Sequence, residues 1–141
     1  MKVADLMTRD PQIIDPETTL QHAAELMDDL GIGLLPVCES GRLIGVVTDR
    51  DITVRGTAAG RRPEETRVAD VMTSDLRWCF EDEDVADAER LMRDAQIRRL
   101  PVLDQNRKIV GMLSLGDLAA KGARDVRETL DVISQPPQPD R

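Results

Sequence analysis

Three features of this sequence predict an α+β fold made of two β-α-β-β-α repeats. The first is duplication: "VADLMTRD" at 3–10 returns as "VADVMTSD" at 68–75, and "GRLIGVVTDRDI" at 41–52 returns as "NRKIVGMLSLGDL" at 106–118. The second is patterning: each copy carries apolar residues at helical spacing, followed by two apolar runs joined by a tight polar turn. The third is the near absence of aromatics, since Trp78 and Phe80 are the only two in 141 residues, so the core must be aliphatic. One such repeat is too small to bury its own apolar faces, and the two copies are expected to pack through their sheets.

The copies align almost without gaps. Leu26-Met27 falls on Leu91-Met92 and Leu35-Pro36-Val37 on Leu100-Pro101-Val102, with one extra residue, assigned to Lys108, in the second copy. It falls in a turn, where a change of length costs least. The expected division is repeat 1 over 1–60, a linker over 55–67 ("RGTAAGRRPEETR"), and repeat 2 over 68–121. An amphipathic helix follows over 122–134, where Val126, Leu130 and Ile133 share a side, and then a disordered tail over 135–141.

Within each repeat the elements follow from local signals. The runs "QIID" and "RWCF" read as brief strands. In the first copy Asp15 or Thr18 can cap a helix with Leu20, Ala23, Ala24, Met27 and Leu30 on one face, stopped by Gly31 in a left-handed conformation. In the second, the equivalent stripe is Val85, Ala88, Leu91, Met92 and Ala95, with acidic residues 81–84 at the positive end of the helix dipole. Ser40-Gly41 and Gln105-Asn106 supply the turns of two β-hairpins, and a second helix starts at Asp49 and at Leu115.

Composition narrows the function. A formal charge of −8 disfavours broad nucleic-acid binding, where cation density supplies most of the affinity. No apolar run reaches membrane-spanning length, and the N-terminus lacks a signal-peptide pattern, so a cytoplasmic protein with no membrane association is expected. Cys38 and Cys79 lie in strand-like runs and read as buried thiols of a reducing compartment, with an inter-subunit or regulatory disulfide as the alternative. His22, the single histidine, falls on the polar side of its helix. With two separated cysteines it makes no zinc site, and no metal is expected. Glu81, Asp82, Glu83 and Asp84 read as a solvated loop that starts a helix, and neither a P-loop nor a GxGxxG is present. An independent enzyme is not expected.

The repeated junction carries the chemistry. Thr48 and Asp51 stand where a strand passes into a helix, and Ser114 and Asp117 repeat the arrangement. A hydroxyl there can donate to a phosphate oxygen, and a carboxylate one turn on can accept from two neighbouring hydroxyls, as in the 2′,3′-diol of a ribose. Gly45 and Gly111 allow either a ligand or the paired backbone to approach closely. The same residues also satisfy a simpler role, in which Thr48 and the carboxylates only cap a helix.

Residues 3–121 resemble a tandem pair of cystathionine β-synthase (CBS) domains, or Bateman module. The resemblance rests on "DLMT…LLPV…GRLIGVVTDRDI" and "DVMT…RLPV…KIVGMLSLGDL", which hold the family's Gly-hydrophobic-x-Ser/Thr-x-x-Asp signature as Gly45, Thr48, Asp51 and Gly111, Ser114, Asp117. It implies regulatory binding of an adenosine-containing ligand (AMP, ADP, ATP, NAD or S-adenosylmethionine) in clefts between the repeats, with no catalytic cofactor. Asp51 and Asp117 would hold ribose, while Thr48 and Ser114 would meet phosphate. Leu35-Pro36 and Leu100-Pro101, with Ile13, would wall the base. Arg98 and Arg99 precede the second Leu-Pro, where the first copy has Gly33-Leu34, and Arg50 precedes Asp51, where the second copy has Gly116. In the family, basic residues before the Leu-Pro of one repeat often reach the phosphates of a ligand held by the other repeat's aspartate, so Arg98 and Arg99 would serve the Asp51 site and make it the stronger one. The resemblance further implies a homodimer, with Ile52 and Leu118 on the apolar faces available for it. Its energy- or redox-sensing output would pass to an unidentified regulated protein. The alternative is a ligand-free dimeric module that acts by docking.

Overall fold

Spatially, the described residues group into two units that cut across the repeats: one holds residues 12–76, the other residues 1–11 together with 77–120. The computed structural model describes residues 1–120, so the expected helix over 122–134 and the tail over 135–141 lie outside the described residues. In chain order the elements are β1 (Thr8–Arg9), α1 (Leu20–Leu30), β2 (Leu34–Glu39), β3 (Arg42–Thr48), α2 (Asp49–Asp51), β4 (Cys79–Phe80), α3 (Val85–Ala95), β5 (Arg99–Leu103), β6 (Ile109–Ser114) and α4 (Leu115–Ala120). Short 3₁₀ turns at Val3–Asp5 and Val68–Asp70 open the two "VAD" segments. The mixed helix and strand content and the two repeats agree with the α+β class expected from sequence.

The unit containing β5 and β6 has a four-stranded sheet in the order β1-β6-β5-β4. Thr8 lies opposite Met112 in the antiparallel β1–β6 pair, and Cys79 lies opposite Val102 in the parallel β4–β5 pair. The 12–76 unit repeats this layout with less strand. Its β2–β3 hairpin is flanked by single bridges, Ile14 parallel to Val37 and Thr73 antiparallel to Val46. "RWCF" thus yields a two-residue strand, whereas "QIID" contributes only the Ile14 bridge. In both units the "VAD-x-MT" segment that completes the sheet comes from the other repeat in sequence.

Local chemistry explains most of the elements. Thr19, rather than Asp15 or Thr18, caps α1 by accepting from the His22 N–H at 3.2 Å. Asp15 instead organises the preceding turn, accepting from the Glu17 N–H at 2.8 Å. Gly31 ends α1 at φ 66°, and Gln96 takes the same left-handed position after α3 at φ 55°. Ser40 and Gly41 both have positive φ, as a two-residue primed hairpin turn requires. In the second hairpin Asp104 accepts from the N–H groups of Asn106 and Lys108, and Arg107 carries the positive φ, so the extra residue does fall in the turn.

Two aliphatic cores result. Ile14, Leu20, Ala23, Met27, Leu35, Val37, Val47, Val68 and Val71 make the first. Val3, Leu6, Met7, Cys79, Val85, Ala88, Met92, Leu100, Val102, Leu113, Leu115 and Leu118 make the second. The buried stripes are narrower than periodicity suggested, since Ala24 and Leu30 are exposed and Glu89 joins the buried face of α3. Leu118 is fully buried and offers no apolar face to a second copy, whereas Ile52 is half-buried and packs in part on its own core. The segment Ile52–Thr57 continues α2 as a π-helix, so the first residues of the 55–67 stretch are helical.

Candidate functional site

Both signature glycines lie where another backbone segment passes close by. A Cβ on Gly45 would lie 2.8 Å from Met72 Sδ and 3.0 Å from the Thr73 carbonyl oxygen; on Gly111 it would lie 2.6 Å from Met7 Sδ and 2.8 Å from the Thr8 carbonyl oxygen. Of the two roles open in sequence, the structure therefore shows the second, close approach of the paired chain. Gly33 has a different reason. Its Cβ would meet Asp49 Oδ2 at 2.9 Å, whereas the residue equivalent to Asp49 in the second copy is Leu115, and there Arg98 is tolerated.

The hydroxyl and carboxylate of each motif hold one another through the backbone. The Thr48 N–H donates to Asp51 Oδ2 at 3.0 Å, and the Asp51 N–H donates to Thr48 Oγ1 at 3.1 Å. Ser114 and Asp117 do the same at 2.9 and 3.1 Å. Each motif is thus a reciprocal capping box, which fixes the carboxylate at the start of its helix. Because each hydroxyl oxygen accepts a backbone N–H, its own proton remains available to donate outward.

The two copies are not equivalent. Asp51 is 8% exposed, and both of its oxygens lie within reach of the Thr73 hydroxyl, at 3.4 Å for Oδ1 and 3.3 Å for Oδ2. Asp117 is half-buried, and among the described residues Thr8, the counterpart of Thr73, makes no such bond and is exposed. Sequence reasoning missed Thr73. Its signal was the "MT" repeated at 7–8 and 72–73, which had no spacing rule tying it to the aspartates. Arg55 was missed as well: its guanidinium donates to the carbonyls of Val71 and Met72 at 3.2 and 3.3 Å and pins the segment that carries Thr73.

The remaining expected site residues fall into two groups. Arg98 and Arg99 are exposed and lie beside the Ser114–Asp117 motif of their own unit, since Arg99 pairs with Ser114 and the Leu115 N–H donates to the Arg98 carbonyl. Arg50 is exposed next to Asp51, and Ile13 is 38% exposed. Leu35 and Leu100, by contrast, are fully buried in the two cores, and Pro36 and Pro101 beside them are buried as well. Strand alternation turns Pro36 and Pro101 to the opposite face from those leucines.

Other reactive groups are placed quietly. Cys38 and Cys79 are free and buried. Burial pushes both thiols up, and for Cys79, with the negative charge of Glu83 adding to burial, the value reaches about 12. His22 is exposed and lies 3.8 Å from Glu25. Among the described residues no cluster of three or more His, Cys, Asp or Glu side chains could hold a metal ion, and no helix is long and apolar enough to cross a membrane.

Comparison with known proteins decides the family. The CBS domain, taken as a sequence family, matches residues 3–55 and again 68–123. The chain belongs to the CBS domain family. It is 45% identical over 117 residues to the CBS domain-containing protein YhcV of Bacillus subtilis, covering 83% of this chain and 82% of that one. Among solved structures it resembles Hypoxic Response Protein I with two coordinated zinc ions, with a TM-score of 0.78, 29% identity, and coverage of 85% of this chain and 98% of that one. It also resembles CBSX2 in complex with AMP, with a TM-score of 0.73, 28% identity, and coverage of 85% and 94%. The two repeats of this CBS protein are therefore a CBS domain pair, as the signature residues implied.

Proposed function

We propose that this CBS protein is a regulatory module that binds an adenosine-containing ligand through Asp51 and Asp117 and acts on a separate partner protein. The observation that carries the reading is the pair of preset carboxylates. Each is aimed by backbone N–H bonds at the same strand-to-helix junction, and a hydroxyl with a proton to spare stands beside it. A ribose diol suits such a carboxylate, and Thr48 and Ser114 suit a phosphate oxygen. Arg50, Arg98 and Arg99 add exposed positive charge on a chain whose net charge is −8, so they are where an anionic group would be drawn. The AMP complex of CBSX2 supports an adenylate ligand; AMP, ADP, ATP, NAD and S-adenosylmethionine share the adenosine end.

A regulatory rather than catalytic role is supported by the inventory of reactive groups, since both thiols are buried and held neutral and the one histidine pairs with Glu25 at the surface. The free thiols fit the reducing cytoplasm. Homodimerisation is part of the proposal, with exposed Leu30 and Val54 rather than Leu118 as its apolar candidates. A ligand-free docking module is the second reading, favoured by the fact that capping alone already occupies Thr48 and Asp51.

Calorimetric titration of the five ligands into wild type, Asp51→Ala and Asp117→Ala separates the two readings. Loss of a charge-assisted hydrogen-bonding carboxylate should weaken binding by about tenfold or more. Equal affinity in all three proteins rejects the site, and no heat and no rise in melting temperature with any ligand leaves the docking module.

A further inference from the structure

We propose that the Thr73 hydroxyl is a built-in competitor for the Asp51 carboxylate, and that it lowers the affinity of the Asp51 site for a ribose diol. The inference rests on the reading of Asp51 as a sugar-binding group. Thr73 Oγ1 lies nearly equidistant from both Asp51 oxygens, at 3.4 and 3.3 Å, and so stands in front of the two acceptors that the paired hydroxyls of a diol would use. Those distances are long for an O–H···O bond, so the contact is weak and can be broken without large cost.

The backbone of Thr73 is pinned. Its N–H donates to the Val46 carbonyl at 2.8 Å and its carbonyl accepts from the Val46 N–H at 3.0 Å, while Arg55 holds the two preceding carbonyls. The hydroxyl can therefore leave only by turning about its own side-chain bond, a step that needs no movement of the strand. With Asp51 only 8% exposed, a diol reaches the carboxylate fully only when that turn has occurred. The second motif has no such occupant among the described residues: Thr8 is exposed, and Oδ1 of Asp117 has no hydrogen-bond partner there. Thr73 thus separates two otherwise matched carboxylates and acts against the advantage that the adjacent Arg50 would confer on Asp51.

The test is AMP calorimetry on the full chain in an Asp117→Ala background, so that the Asp51 site is read alone. Thr73→Val removes the competing hydroxyl at nearly constant shape and should tighten AMP about three- to tenfold, the range expected for one weak hydrogen bond to a charged group. Thr73→Ser should keep the parent affinity. With 2′,3′-dideoxyadenosine monophosphate, which has no diol, Thr73→Val should change nothing. Thr73→Ala carries the same expectation as valine if the added methyl disturbs packing. Unchanged or weaker AMP binding in Thr73→Val and Thr73→Ala overturns the competitor while leaving the sugar site standing, provided Asp51→Ala still abolishes the affinity. If AMP does not bind, or Asp51→Ala leaves its binding unaltered, the sugar-binding reading fails and the competitor with it.

Discussion

The Asp51 carboxylate and the Cys79 thiol are both buried, in different surroundings. Asp51 accepts from a backbone N–H and a hydroxyl. Cys79 sits at 2% exposure among aliphatic side chains with the Glu83 carboxylate near, and its thiol is pushed up from 9.0 to about 12. The consequence for stability has a definite sign. Below pH 9 the thiol is neutral in both folded and unfolded chains, but between about 9 and about 12 the unfolded chain loses the proton that the folded chain keeps. Stability should therefore fall as pH rises through that window, by about 1.4 kcal/mol per pH unit for this one group. Urea unfolding from pH 8 to 10.5 should show a shallower decline in Cys79→Ala than in wild type; parallel slopes would contradict it. Residue roles were only half legible in sequence. Thr48 and Asp51 could be read as cap or as site because one geometry serves both, and Thr73 could not be read at all, because its contact with Asp51 joins residues from different repeats.

At the scale of elements, the tightest constraint is the crossing of β6 over the Met7–Thr8 segment at Gly111. Methionine can swing its sulfur away from an added Cβ, but the Thr8 carbonyl at 2.8 Å is tied into the β1–β6 pairing and cannot. Gly111→Ala should cost about 1–3 kcal/mol. Gly116, near the start of α4 with its closest prospective contact at 3.5 Å and no positive φ, is the control. Gly116→Ala should be neutral or stabilising by up to about 1 kcal/mol. Urea midpoints of the two variants check the contrast, and a similar loss in both would remove the crossing as the cause. The elements themselves were legible wherever their signals were local: both long helices, both hairpins, the Gly31 stop and the turn that absorbs the extra residue. Errors arose where two local candidates competed, as when Asp15 organised the turn and left the cap to Thr19. They arose too where packing chose the face, as with exposed Ala24 and Leu30.

For the whole molecule, duplication predicts two similar units but not which residues fill each one. Strand pairing across long sequence separations decides that, and it sends residues 1–11 to the sheet of the second repeat and 68–75 to the hairpin of the first. Nothing in spacing or propensity marks that exchange, because either copy of "VAD-x-MT" would suit either sheet. It has a measurable consequence. Val3, Leu6 and Met7 are at most 9% exposed in the core that also holds Leu113 and Leu118, while the other core contains no residue from this segment. Burying three such side chains contributes on the order of 5–9 kcal/mol, comparable with the entire stability of a small domain. Replacing residues 3–9 by a glycine–serine stretch of equal length should therefore unfold the unit from 77 onward and leave the 12–76 unit folded. Trp78, the single tryptophan, reports on the affected unit, where its ring meets Phe80 edge-on at 4.9 Å and carries the Arg107 guanidinium at 5.5 Å. Its emission should shift to the red, and amides of β5 and β6 should exchange freely while those of β2 and β3 stay protected. Loss of protection in all four strands together would show that the two cores do not hold independently, and retention in all four would show that the exchanged segment is dispensable.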